Sequence, residues 1–461
     1  MQYQEAKAVL DRIGQGHVLA FWDRLEAAQR TALLAQIEAL DFETIGRIRA
    51  QLAAGGDAAA SGGPVMPAPV VSLKPSETAA PLRIGEQALQ AGQVGVILVA
   101  GGQGTRLGYE GPKGTYPTAP ITGASLFEIH SRKILALEKQ YRAEIPFYIM
   151  TSEGNDADTR RFFEANRYFG LAPDRVKFFI QGTLPAFLPD GRLVLESPAK
   201  LFSAPDGHGG ILTALERRGM LDDMRRRGVT TLYYFQVDNP LVDIADPAFI
   251  GLHVSRGADM SLKVCAKRDP DEGLGVTVIR DGRMTIVEYI ELTAEQKNAR
   301  RPDGELLLKF GSVAIHIFSL EFLVREISAG LPLHQAHKKV PTCDGSGNPV
   351  KPDTPNAYKF EKFIFDALPD AREALILEFA REDEFAPVKN AEGNDSPGTA
   401  RAAMIEKAAR WFAACGVAVP RDAKGRPAVK LEIDPVYAHD AATLAARLPK
   451  GFAISGDVVL K

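Results

Sequence analysis

Residues 94–114 read V-G-V-I-L-V-A-G-G-Q-G-T-R-L-G-Y-E-G-P-K-G, and this stretch most limits what the chain can fold into. Its opening run, Val96-Ile97-Leu98-Val99, is short, β-branched and bounded by glycine, which predicts a buried strand. The strand breaks after Ala100 into Gly101, Gly102 and Gly104, with Gln103 between them. Glycines at a strand end let bare backbone N–H groups approach a ligand. Arg106 and Lys113 follow within a dozen residues. Amides with a guanidinium and an ammonium at the end of a strand suit a polyphosphate. The spacing is not that of a P-loop, which needs Gly-Lys-Ser/Thr directly after the glycines, nor the G-x-G-x-x-G of a dinucleotide fold.

The remainder of the chain bounds the function class. A length of 461 residues predicts two or three domains. Hydrophobic residues at 45% and charged residues at 25% are globular values with a substantial core. A formal net charge of −3 speaks against a general nucleic-acid binder. Cys265, Cys343 and Cys415 are isolated, with no C-x-x-C pair, so neither a disulfide framework nor a zinc site is expected. Met1-Gln2-Tyr3-Gln4-Glu5 lacks a basic segment leading into an apolar run, and no stretch approaches the roughly 18 apolar residues of a membrane helix. The expectation is a cytoplasmic protein with no membrane and no nucleic-acid partner; the sequence carries no signal for an oligomeric state.

Periodicity then orders the chain. Residues 2–53 show helical spacing, and 53–81, rich in Ala, Gly, Ser and Pro, reads as a linker or long loop. From about residue 82 strands alternate with helices, the mark of a parallel sheet covered on both faces. Strands are expected at 94–100, 147–150, 176–180, 232–237, 261–267, 275–280, 286–289 and 313–318. Helices are expected at 85–90, 126–141, 156–166, 210–227 and 246–257. Gly102, Thr151, Gln181 and Asp238 fall just past four of these strands, the edge where open α/β sheets bind ligands. After about residue 400 a helix at 402–414 and strands at 429–433 and 452–460 suggest a small α+β appendage. The expected division is 1–82, a helical region with its linker; 83–398, a catalytic nucleotide-binding domain; and 399–461, a C-terminal α+β domain.

Two further segments carry chemistry. Tyr234-Phe235-Gln236-Val237-Asp238-Asn239 is a strand ending in an acid, and Asp238 suits either a helix cap or a Mg²⁺ ion held by one or two carboxylates. Ala204-Pro205-Asp206-Gly207-His208-Gly209-Gly210 is a second glycine-rich turn that admits a base or a phosphate to its amides. Taken alone, Lys389 is a solvated surface lysine.

L-V-A-G-G-Q-G-T-R-L-G with P-K-G resembles the sugar-nucleotide pyrophosphorylases, in their eukaryotic-type UDP-sugar branch. Phe147-Tyr148-Ile149-Met150-Thr151-Ser152, Gln181-Gly182, Val237-Asp238-Asn239, Val287-Glu288-Tyr289, Glu361-Lys362-Phe363-Ile364-Phe365-Asp366 and the D-E-F-x-P-x-K-N segment around Lys389 are similar to N-acetylhexosamine pyrophosphorylase segments, in the same order. The resemblance implies an α/β fold with a central mixed, mostly parallel, Rossmann-like sheet of the nucleotide-diphospho-sugar transferase type. It implies UTP and a sugar 1-phosphate as substrates, Mg²⁺ as cofactor, and in-line transfer without a covalent enzyme intermediate. It also implies roles: Val99, Ala100, Gly101, Gly102, Gln181, Gly207 and His208 on the nucleotide; Arg106, Lys113 and Lys389 on its phosphates; Asp238 on the metal; Glu288, Tyr289, Ser312 and Phe363 on the sugar.

Two departures bear on the sugar. His208 stands where the N-acetylhexosamine enzymes have Asn, and the UDP-glucose enzymes carry G-H-G there. Lys309-Phe310-Gly311-Ser312-Val313-Ala314-Ile315 replaces an Asn-rich strand, with Ser312 and Ile315 in two of the amide places. Loss of a hydrogen-bonding partner shifts specificity. The expected acceptor is N-acetylglucosamine 1-phosphate, the alternatives being glucose 1-phosphate or a broad sugar range, and further a catalytically silent UDP-sugar-binding regulator.

Overall fold

The computed structural model describes residues 1–55 and 63–461; residues 56–62, inside the stretch expected as a linker, lie outside the described residues. The chain forms two compact units.

The first unit combines the described residues of 1–61 with 182–211 and 330–366. Its helices α1 (Tyr3–Arg12), α2 (Ala27–Glu38) and α3 (Phe42–Ala53) fall within the helical stretch read from periodicity. Leu10, Val18, Leu33, Ile37, Ile45 and Ile48 are fully buried together with Phe187, Leu193 and Phe360. Short antiparallel pairs complete this unit, among them His334–Lys338 with Ala357–Glu361 and Thr183–Pro185 with Ser203–Pro205.

The second unit holds the described residues of 62–181 with 212–329 and 367–461, and is built on a sheet of ten strands. They are β1 (Val65–Pro67), β2 (Val94–Val99), β3 (Phe147–Thr151), β4 (Val176–Ile180), β5 (Thr231–Gln236), β6 (Met260–Ala266), β7 (Val276–Arg280), β8 (Arg283–Val287), β9 (Phe310–Ser319) and β10 (Ala374–Glu378). The order β1-β7-β9-β5-β2-β3-β4 places β2 between β5 and β3, and these central neighbours are parallel. The β7–β9 side is antiparallel, so the sheet is mixed, as the resemblance implied. Both faces of β2 are covered, which explains its unbroken apolar run. Helix α4 (Ala79–Gln90), α5 (Leu126–Tyr141), α6 (Asp156–Ala165) and α7 (Ile211–Arg217) follow the expected alternation.

Three expectations change. Within the Pro-rich stretch, Val65–Pro67 forms an edge strand on β7, and Val71 bridges to Leu377, so part of the expected loop belongs to the sheet. An edge is where proline is tolerated in a strand. The single helix expected over 210–227 is two, α7 and α8 (Met220–Arg226), because Gly219 adopts φ +71° between them. The antiparallel side of the sheet departs from simple alternation. There β9 carries a bulge: Lys263 faces Ile315 and Val264 faces Ser312, leaving Val313 and Ala314 over, with Ala314 at φ +58°.

Helix α9 (Pro247–Arg256), capped by the Asp246 side chain, packs closely on α4. A Cβ at Gly85 would strike the Pro247 carbonyl, and one at Gly251 the Pro81 carbonyl. Further on, α10 (Leu320–Ala329), α11 (Pro397–Ala414) and α12 (Ala441–Arg447) follow; the parallel pair Leu431–Ile433 and Val458–Leu460 packs with α11 and α12 around Phe412 and Leu444. Among the described residues no helix is long and apolar enough to cross a membrane.

The helix contact yields the first prediction. Gly251→Ala should destabilise by about 3 kcal/mol, since backbone must move to admit the methyl. Gly46→Ala, on the exposed face of α3 with no atom within 4 Å of the new Cβ, should instead stabilise by about 0.5–1 kcal/mol. Thermal unfolding of the two variants checks both; equal midpoints would contradict the packing argument.

Candidate functional site

The parallel strands β5, β2, β3 and β4 end along one edge of the sheet, and their last residues hydrogen-bond to one another. After β2, Ala100 and Gly102 accept from the Asn155 amide at 2.9 and 3.3 Å, and Gly101 accepts from the Ser152 hydroxyl at 2.9 Å. Asn155 in turn accepts from the Ser152 backbone N–H at 2.8 Å. Gln181, just past β4, lies against Gly101 so closely that a Cβ there would collide with its amide oxygen. The glycine loop closes on itself: Lys113 N–H donates to the Gly102 carbonyl at 3.0 Å and Gly104 N–H to the Gly111 carbonyl at 2.9 Å. This folding-back carries Lys113 to the end of the neighbouring strand. Its Nζ stands 3.5 Å from the Asp238 Oδ2, with both side chains largely enclosed. Arg106 lies exposed in the same loop.

Asp238 is fixed from behind. Val388 N–H donates to its carbonyl at 2.8 Å, so Lys389 begins one residue from that bond. Asn239 donates to the Glu384 carbonyl at 2.6 Å and accepts from the Ala386 N–H at 3.1 Å. Glu384 is gripped by the buried Lys263 at 2.5 Å, which also reaches Asp246 at 2.8 Å. Burial pushes the Glu384 carboxyl up to about 7, against the pull of Lys263. Burial also works against the Lys263 charge, but Asp246, Glu384 and Asp243 outweigh it and its pKa is raised.

The expected sugar residues of this unit also gather. Ser312 N–H donates to the Gly275 carbonyl at 2.8 Å, and a Cβ on Gly275 would come 3.2 Å from Glu288 Oε1. Ser312 therefore sits at the β9 bulge beside Glu288, which follows β8. Tyr289 is 36% exposed with the Lys297 ammonium over its ring.

Gly207, His208 and Phe363 belong to the first unit. Gly207 has φ +82°, and Cβ atoms at Gly207 or Gly209 would strike the Lys362 backbone. Gly209 N–H donates to the Lys362 carbonyl at 2.8 Å, and Lys362 N–H to the Asp206 carbonyl at 2.8 Å. These glycines are thus demanded by the chain's own close approach. His208 stacks on Phe363 with ring centroids 5.4 Å apart and accepts the Ile364 N–H on Nδ1 at 3.2 Å. Burial, then the neighbouring His334, lower its pKa to about 4. It is a neutral ring near pH 7.

Sequence reading assigned no role to Ser152, Asn155, Asn239 or His130. Their signal was weak: single polar residues near strand ends or inside an apolar helix face. His130, in α5, donates through Nε2 to the Val237 carbonyl at 2.9 Å, next to Asp238.

Comparison with known proteins decides the family. The model of the UTP–glucose-1-phosphate uridylyltransferase family matches residues 72–443. The chain belongs to this family. Relatives within it include UDP-N-acetylhexosamine pyrophosphorylase-like protein 1 of Homo sapiens, 40% identical over 436 residues, covering 90% of this chain and 86% of that protein. UDP-N-acetylglucosamine diphosphorylase 2 of Arabidopsis thaliana is 38% identical over 472 residues, covering 95% and 91%. Among solved structures, the uridine diphosphate N-acetylglucosamine pyrophosphorylase from Trypanosoma brucei superposes with a TM-score of 0.83 at 27% identity, over 100% of this chain and 99% of that one. The uridylyltransferase resemblance and the nucleotidyltransferase fold both hold.

Two predictions rest on this geometry. A Cβ on Gly102 would meet nothing within 4 Å, so the fold itself tolerates alanine there. Gly102→Ala should keep its thermal midpoint yet bind UTP about ten-fold or more weakly by calorimetric titration; unchanged affinity would take Gly102 out of the nucleotide's path. His208, with its pKa depressed, stays neutral at every pH well above 4, so replacing it with Gln should leave the shape of the kcat/KM–pH profile between pH 5.5 and 8.5 unchanged. Loss of an inflection in the variant would contradict the neutral ring.

Proposed function

We propose that this chain transfers the uridylyl group of UTP to N-acetylglucosamine 1-phosphate. An oxygen of the sugar phosphate attacks the α-phosphorus, the bond to the bridging oxygen breaks, and pyrophosphate leaves with its electron pair. The acceptor oxygen is already deprotonated, so no general base is required. Catalysis is positioning and charge stabilisation. The observation that carries the reading is the Lys113–Asp238 pair at the end of the parallel strands, 3.5 Å apart beside the glycine loop. The names of the relatives described above support the N-acetylated acceptor, while Ser312 and His208 are the two positions at which this chain departs from the N-acetylhexosamine pattern.

Arg106, Lys113 and Lys389 are proposed to hold the phosphates and the charge of the leaving pyrophosphate. Val99, Ala100, Gly101, Gly102, Gln181, Gly207 and His208 are proposed for the uridine part, and Glu288, Tyr289, Ser312 and Phe363 for the sugar. Asp238 is proposed to hold Mg²⁺. Among the described residues no cluster of three or more His, Cys, Asp or Glu forms an all-protein metal cage. A single enclosed carboxylate is the donor set expected for Mg²⁺ that takes its other ligands from phosphates and water. Bound there, the ion would neutralise negative charge on the triphosphate. All three cysteines are free thiols, which accords with a reducing compartment and a cytoplasmic location.

Pyrophosphate release from UTP with a panel of sugar 1-phosphates tests the reading: N-acetylglucosamine 1-phosphate should be turned over best, and preference for glucose or galactose would overturn the acceptor. Lys113→Ala should lower kcat by about 100-fold or more. Asp238→Ala should lose activity and Mg²⁺ response together; a normal Mg²⁺ titration in that variant would remove the carboxylate from the metal.

A further inference from the structure

A cavity of about 740 Å³ lies within the second unit, among α5, α11, the segment 240–248 and the segment 431–440. Neither Asp238, Lys113, Lys389 nor any residue of 99–114 lines it. Its size matches a drug-sized ligand. Leu82, Ile129, Leu137, Ile244, Met404 and Trp411 supply an apolar wall with one aromatic face.

The charges in the wall select the ligand. Among the lining carboxylates, Asp434 pairs with Arg132 at 2.5 Å, Asp243 with Lys407 at 2.6 Å and Asp246 with Lys263 at 2.8 Å. Asp440 caps α12 by accepting the Thr443 N–H at 2.6 Å, and Glu128 sits in the first turn of α5. Glu432 accepts the Ile121 and Thr122 N–H groups at 2.7 and 2.9 Å. Lys133 differs. Its ammonium donates to the Pro240 and Val242 carbonyls at 2.7 and 2.6 Å and makes no carboxylate ion pair among the described residues. An ammonium has three donors, so one remains for an incoming acceptor. Burial, then the nearby Lys407, lower the Lys133 pKa to about 7 against the opposing pull of Asp243 and Glu384, and an incoming anion would act in the same sense as those carboxylates.

We infer that this cavity is a second ligand site, taking an amphipathic acid whose apolar body lies against Trp411 and Met404 and whose anionic head takes the free donor of Lys133. The site goes beyond uridylyl transfer and does not depend on it. Its occupant touches the ammonium that holds Pro240 and Val242, the segment that continues from Asp238, and this is its physical route to the reaction centre.

The probe is 8-anilinonaphthalene-1-sulfonate, an aromatic sulfonate, added to the full chain. The dye should bind with enhanced emission sensitised by Trp411. Trp411→Phe should lose most of the sensitised component, Trp22 being the other tryptophan. Lys133→Met should weaken binding about ten-fold or more, the loss expected for a charged hydrogen bond. Met404→Trp, which fills the cavity and leaves Lys133 in place, should abolish it; this variant keeps the test open if Lys133→Met fails to fold. UTP should not displace the dye. Displacement by UTP, wild-type affinity in both cavity variants, or sensitised emission that survives Trp411→Phe would each overturn the site. Dye binding as described without turnover of any sugar phosphate would leave this site standing and sink the proposed reaction instead.

Discussion

Asp238 is an enclosed carboxylate beside a lysine, and such a pair keeps its geometry only if the backbone on both sides of it is fixed. In water the two side chains would gain little by meeting. Here the backbone does the holding. His130 takes the Val237 carbonyl, Val388 takes the Asp238 carbonyl, and Asn239 bonds in both directions to the 384–386 backbone. Lys133 closes the frame at Pro240 and Val242. Each of these is a bond to main chain, so none competes for the carboxylate itself. The carboxylate is left to the ammonium of Lys113, 3.5 Å away.

That frame explains how a loop almost 150 residues downstream comes to lie against Asp238. The 384–388 segment reaches Asp238 because Glu384 is anchored by Lys263, a buried cation on β6 shared with the cap of α9. Breaking one member would leave an uncompensated buried charge, which is costly. The network therefore specifies position more than it supplies stability. It ties the sheet, the start of α9 and the Lys389 segment into one arrangement, and Lys389 inherits its place from it.

Much of this was legible beforehand, for identifiable reasons. Strands β2 and β4 and helix α5 follow their hydrophobic runs because burial on both faces, or on one helical stripe, writes a strong period. The edge that gathers Gly102, Gln181 and Asp238 was legible because parallel strands must all end on the same side. The helix break at Gly219 was missed because two short helices with a glycine between them read as one periodic run. The edge strand at 65–67 was missed because its three residues, Val-Met-Pro, are too short a run to stand out within a Gly-, Ala- and Pro-rich stretch, and its partner lies more than 200 residues away. Nor does a linear reading reveal that residues 182–211 and 330–366 pack with the N-terminal helices, since each looks like part of the surrounding alternation. His130 and Lys133 were illegible for a related reason: a buried polar residue shows its purpose only when its acceptor is in view.

The glycines separate into two kinds, and the distinction bears on how a motif should be read. At 85, 251, 207 and 209 a side chain would strike backbone of the same chain, so glycine is required for folding. At 101 a side chain would strike Gln181, itself a residue of the strand-end edge. At 102 nothing stands within 4 Å and the residue is exposed. Packing of the folded chain alone therefore does not account for glycine at 102, any more than at the exposed Gly46. The two glycine-rich turns look alike in sequence, yet the packing requirement accounts for the one at 207–210 and leaves Gly102 unaccounted for. Within the loop that opens the sheet, it is this unfilled position, near the Lys113–Asp238 pair, that the Gly102→Ala variant separates from a packing role.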